Sequence, residues 1–188
     1  MRLGLLGGSF NPIHHAHLVI AERAAEAARL DRVILMPTAV SPLKARDGFA
    51  PARDRLAMVR AAVRGNPRLA ASDLEVRRGG VSYTVETLKA LGKRHPGSAL
   101  FVIIGADAAG LLSQWRDIDE VCRRATFLVA ARPGHRVPRG MPKHKVVEVP
   151  LLEVSSTDIR ERVRRGRSIR YLVPDAVRRH IERRGLYE

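Results

Sequence analysis

Gly7-Gly8-Ser9-Phe10-Asn11-Pro12-Ile13-His14-His15-Ala16-His17-Leu18 ends the apolar stretch Arg2–Gly7 and opens an alanine-rich segment without glycine or proline, His14–Leu30. An apolar run closed by glycines predicts a buried strand, and the segment after it predicts a helix. Strand, glycine turn and helix together form the opening unit of an open α/β sheet. Ligands of such sheets lie beyond the carboxyl ends of the strands. The glycines permit close approach of backbone to a ligand, and Pro12 stiffens the turn. His14 and His17, three apart, share one face of the first helical turn. That turn is expected to offer unpaired N–H groups and the positive end of the helix dipole to a phosphate. The other readings of the pair are surface or core histidines, or part of a metal site. No Glu completes an HExxH pattern, and neither G-x-x-x-x-G-K-[ST] nor G-x-G-x-x-G occurs.

The alternation continues along the chain. Further strands are expected at Arg32–Met36, Arg68–Val76, Ala99–Ile104, Thr126–Ala131 and Lys145–Val149. Helices are expected at Ala52–Arg64, Tyr83–Arg94, Ala106–Leu112, Ile118–Arg124, Ser155–Arg165 and Pro174–Arg184. Thr38–Pro51 and the basic stretch Arg132–Pro142 hold the prolines and glycines of loops. Short apolar strands alternating with helices predict the α/β class: an open Rossmann-like parallel sheet with helices on both faces. No internal repeat or low-complexity linker divides the 188 residues. One domain, 1–188, is expected, with the arginine-rich residues 155–188 as a small C-terminal helical extension.

Composition narrows the function classes. Hydrophobic residues at 45% and charged residues at 28% suit a folded globular protein rather than a disordered or coiled-coil chain. The single cysteine, Cys122, excludes an intramolecular disulfide framework and a cysteine-based zinc cluster. It reads as a helix-face packing residue. No apolar run approaches the roughly 20 residues of a membrane span. No apolar signal core with a cleavage site opens the chain, so a reduced, cytoplasmic protein is expected. The net charge of +15, carried by 29 arginines and five lysines, attracts anions. Charge alone does not separate a nucleotide enzyme from a nucleic-acid binder. Ten arginines fall within Arg160–Arg184, but aromatics are only 4% of the chain, too few for base stacking. Nonspecific, salt-sensitive binding to nucleic acid is expected rather than a dedicated function of that kind.

The opening stretch resembles the GG[ST]FDPIHxGHL signature of the nucleotidyltransferase α/β phosphodiesterase superfamily. Val154-Ser155-Ser156-Thr157-Asp158-Ile159-Arg160 resembles that superfamily's second element, ISSTxIR. Within it, four further stretches are similar to bacterial nicotinate-mononucleotide adenylyltransferases. They are Met36-Pro37-Thr38 with Ser41–Lys44, Gly80–Leu88, Gly105-Ala106-Asp107 with Trp115, and Tyr171–Asp175 running to Gly185-Leu186-Tyr187. The likeness covers nearly the whole chain. Pantetheine-phosphate adenylyltransferase, usually shorter and with a T-x-G-H first motif, is the alternative member. Asn11 stands where Asp is common, Ala16 where Gly is, and Ser41 and Leu43 alter the usual P-P-H-K loop.

The resemblance implies adenylyl transfer from ATP to nicotinate mononucleotide, giving deamido-NAD and pyrophosphate. Magnesium is expected on the ATP phosphates, with no protein metal ligand named. His14, His17, Lys44 and Arg160 are the implied catalytic residues. ATP is expected against Gly8, Ser9, Phe10, His14, His17, Gly105, Asp107, Ser155, Ser156, Thr157 and Arg160. Nicotinate mononucleotide is expected against Ser9, Phe10, Lys44, Tyr83, Thr84 and Trp115. Simpler accounts stand beside these: a capping box from Ser155 to Asp158, core packing for Trp115, a helix cap for Thr84, a dipole contact for Asp107, and exposed cations for Lys44 and Arg160.

Overall fold

The computed structural model describes residues 1–42, 48–131 and 140–188. In chain order the elements are β1 (Arg2–Gly8), α1 (His15–Ala27), β2 (Arg32–Pro37), α2 (Ala52–Val63), β3 (Leu69–Ala71), α3 (Leu74–Arg78), α4 (Thr84–Arg94) and β4 (Ala99–Gly105). Then come α5 (Ala106–Ala109), a 3-10 turn at Leu112–Gln114, α6 (Ile118–Arg124), β5 (Ala125–Ala131), β6 (His144–Glu148), α7 (Ser156–Arg164) and α8 (Asp175–Arg184). The strands form one parallel sheet in the order β3-β2-β1-β4-β5-β6, so the open α/β expectation holds. The order reverses between β1 and β4, the place beyond whose strand ends open α/β sheets bind their ligands.

Side chains alternate along each strand, and both faces are buried. Leu6, Val33, Leu35, Phe101, Ile103 and Leu128 pack under α1, α2, α7 and α8. Leu3, Leu5, Ile34, Met36, Val102 and Phe127 pack on the other face, under α4 and α6. Two covered faces explain why the strands read as continuous apolar runs. Ile159, Val177 and Ile181 of α7 and α8 belong to the same core as Leu6, so the C-terminal helices share the sheet's packing. Cys122 is half-buried against the second core.

Two elements differ from expectation. Arg68–Val76 is not one strand: β3 is only Leu69–Ala71, paired with Val33–Leu35. Ser72 Oγ then accepts from the Leu74 N–H (3.3 Å), turning the chain into α3 and burying Glu75. The expected helix Ala106–Leu112 stops at Ala109, before Gly110. Glycine there gives up helix propensity, and the chain resumes as a 3-10 turn.

Candidate active site

The turn after β1 is buried and stiff. Phe10 is almost fully buried and has φ 45, a left-handed conformation that is strained for an aromatic residue. Its ring lies 5.0 Å from His17, edge-on, and His17 stacks on His14 at 3.8 Å. The His14 N–H donates to His17 Nδ1 (3.3 Å), so a neutral His17 carries its proton on Nε2. Burial, with a lesser contribution from His15, pushes the His14 pKa down to about 4. His14 is therefore neutral at neutral pH, and its buried Nδ1 has no hydrogen-bond partner.

The structure corrects one part of the expected phosphate site. The first turn of α1 does not offer a row of unpaired N–H groups. His15 N–H donates to Leu172 O (3.1 Å), His17 N–H to His14 O (3.0 Å), and His14 N–H is bound as above.

That second motif meets the first directly. Ser155 caps α7, its Oγ accepting from Asp158 N–H (3.1 Å), as its spacing predicts. Ser156 Oγ donates to Pro12 O (2.9 Å), and Arg160 Nη1 donates to Asn11 O (2.9 Å). Arg160 is thus half-buried and tied to the turn, not an exposed helix arginine, and its buried Nε has no partner. Ser156 and Thr157 open a helix, where N–H groups lack carbonyls four residues back. Serine hydroxyl and arginine reach, across 144 and 149 positions, the turn that leads into the two imidazoles.

Asn11 is the hub of the turn. It is buried; its Nδ2 donates to Gly48 O (3.2 Å), and its Oδ1 accepts from Ala50 N–H (2.9 Å) and the Tyr187 hydroxyl (2.8 Å). The amide needs both its donor and its acceptor here, which a carboxylate would not supply. Burial raises the Tyr187 pKa, keeping its hydroxyl a donor.

Gly105 ends β4 beside β1, and exposed Asp107 follows in the short α5. Tyr83 and Thr84 open α4, and the Arg116 guanidinium sits 4.8 Å from the Tyr83 ring centroid. Trp115, next in chain, packs edge-on to Phe127 at 6.1 Å and is part of the second core. The Tyr83–Arg116 contact brings the start of α4 beside the segment that carries Trp115. Lys44 lies outside the described residues.

Sequence reading missed three groups. Glu75 is buried, accepting from Thr87 Oγ1 at 2.5 Å, and burial pushes its carboxyl pKa up. Ser82 is buried, its Oγ accepting from Ala39 N–H (3.0 Å). Arg55 is buried on the apolar face of α2. The available signal was its spacing: Arg55 shares a helix face with Met58 and Val59, where a charge is out of place.

Compared with known proteins, residues 5–162 match the family model described as cytidylyltransferase-like. A "Probable nicotinate-nucleotide adenylyltransferase" of Exiguobacterium sibiricum is 46% identical, spanning 100% of this chain and 99% of that protein. A protein of the same name from Salinibacter ruber is 44% identical, over 100% of this chain and 98% of that one. Among solved structures, Plasmodium falciparum nicotinic acid mononucleotide adenylyltransferase complexed with NaAD matches with a TM-score of 0.83 at 17% identity, over 99% of this chain and 97% of that one. At that identity the likeness speaks for the fold.

Proposed function

Since the chain belongs to the cytidylyltransferase-like family, we propose that it is a nicotinate-nucleotide adenylyltransferase. The reaction joins nicotinate mononucleotide to the AMP part of ATP, in NAD biosynthesis. A 5′-phosphate oxygen of the mononucleotide attacks the α-phosphorus of ATP. The bond from that phosphorus to the bridging oxygen breaks, and pyrophosphate leaves with the electron pair. The observation that carries this reading is the direct bonding of Ser156 and Arg160 to the carbonyls of Pro12 and Asn11, which makes one crevice of two phosphate motifs.

The attacking phosphate is already anionic, so the chemistry needs positioning and charge stabilisation rather than a strong base. In this reading His14 and His17 donate to the ATP phosphates, with His17 nearest the α-phosphate. Gly8 leaves room beside the Phe10 ring, and Ser9 and Phe10 line the phosphate turn. Ser155, Ser156, Thr157 and Arg160 face the leaving pyrophosphate; Gly105 and Asp107 take the ribose side. Tyr83, Thr84 and Trp115 form the acceptor pocket, and Lys44 belongs to the loop above it. ATP enters as its magnesium complex. Magnesium keeps most of its waters and asks for few protein ligands. Among the described residues no group of three His, Cys, Asp or Glu side chains gathers to hold a metal. The whole chain acts as one domain, with 155–188 as its helical extension. No helix among the described residues is long and apolar enough to cross a membrane.

Pyrophosphate release with ATP, magnesium and each of three acceptors tests the proposal. Turnover with nicotinate mononucleotide, and much less with nicotinamide mononucleotide or phosphopantetheine, is the expected result. Preference for phosphopantetheine would overturn the acceptor assignment; silence with all three from folded protein would overturn the enzyme class.

A further inference from the structure

Arg55 is 3% exposed, and its hydrogen bonds among the described residues all go to backbone carbonyls. Nη1 donates to Ser9 O (2.7 Å), Nη2 to Ala39 O (3.1 Å) and Nε to Ala50 O (3.1 Å). Burial pulls its pKa down from the ordinary arginine value, so holding the charge there costs free energy. The three carbonyls belong to three separate segments. Ser9 is in the phosphate turn, Ala39 follows β2, and Ala50 precedes α2. Ala50 N–H in turn holds Asn11, on which Arg160 and Tyr187 converge. Ala39 N–H is held by Ser82 Oγ, directly before the Tyr83–Thr84 start of α4. Ser82 N–H closes the same junction on Val40 O (2.9 Å).

We propose that Arg55 is a positioning residue that sets the ATP-binding turn and the acceptor-binding helix start in register with each other. The inference rests on the adenylyltransferase reading, which supplies two substrates for those two sides. A planar fork with fixed donor directions is what the three carbonyls require. An ammonium group has the same charge but no fork, and from one point it cannot satisfy all three. Reaction between two bound substrates depends steeply on their relative placement. A shift of about 1 Å between them costs on the order of 100-fold in rate.

The test compares wild type with Arg55→Lys, Ser82→Ala and Met58→Ala, the last being a fully buried α2 core residue outside the site. Melting temperature, kcat, KM for ATP, KM for nicotinate mononucleotide and calorimetric affinity for ATP are measured well below every melting point. Arg55→Lys is expected to lower kcat/KM about 100-fold and to raise both KM values. Ser82→Ala, which cuts the chain on the acceptor side, is expected to raise the acceptor KM and leave that of ATP. Met58→Ala is expected to lose stability with unchanged kinetic constants. Arg55→Lys behaving like Met58→Ala would overturn the proposal. Where Arg55→Lys does not fold, an unchanged acceptor KM in Ser82→Ala overturns it. Wild type inactive with every acceptor is instead a failure of the functional reading; an ATP affinity equal in wild type and Arg55→Lys then counts against Arg55.

Discussion

His14 and His17 are neighbours with different work to do. His17 is oriented by the His14 N–H on Nδ1, which directs its other nitrogen. In the proposed reaction it donates to developing charge; kcat of His17→Ala is then expected to fall by about 100-fold or more, measured with saturating substrates. His14 is held neutral by burial, with its pKa near 4 against 6.5 for a free imidazole. Between those values the unfolded chain binds more protons than the folded one. Stability is therefore full above pH 6.5 and drains away as pH falls towards 4. The difference corresponds to about 3 kcal/mol. Denaturant unfolding at pH 7 and pH 4 should show His14→Gln losing about 3 kcal/mol less than wild type between the two. Equal losses in both would remove His14 as the source.

Elements are held in place by a few bridges between distant segments. Asp54 of α2 is nearly buried and accepts from His180 Nε2 (3.1 Å) and Arg184 Nε (3.2 Å), both on α8. That contact docks α8, and the left-handed Gly185 turns the chain so that Tyr187 reaches Asn11. Asp54→Ala is expected to cost about 2 kcal/mol in urea unfolding, the range for hydrogen bonds to a charged group. α3 shows the other side of element-level reading. Its alternation was compatible with a longer strand, and five residues are too short for helical periodicity to declare itself. Burial of Glu75 against Thr87, twelve residues on, decides the matter in favour of the helix. The long helices α1, α2 and α4 were legible because their breakers and apolar faces are local properties.

The whole molecule carries +15, and the described surface has arginines spread over many helices. Such a field draws a polyanionic substrate inward and is screened by salt. kcat/KM for ATP is expected to fall on the order of tenfold from low to high salt, with kcat nearly constant. A drop confined to kcat would argue against steering. The same charge should bind nucleic acid weakly at low salt, and His17→Ala should leave that binding alone while cutting turnover. A groove of about 880 Å³ lies at the amino ends of the central strands, beside Arg2, Phe101 and Lys145. Two of its lining polar groups, Arg2 Nε and Lys145 Nζ, are already bonded to the Ala28 and Ala27 carbonyls at the end of α1.

The sequence by itself determined the order of strands and helices apart from α3 and the 3-10 turn, and the two motif segments, because apolar period, breakers and caps act over a few residues. Only the tertiary structure decided what surrounds those segments. Asn11 meets Tyr187 across 176 positions, Arg55 meets Ser9 across 46, and Leu172 takes the His15 N–H that local reading left open. Hydrogen bonds over such separations depend on the closed sheet, not on the local sequence. A buried arginine or asparagine is then selected by carbonyls and amides that its sequence neighbours do not reveal.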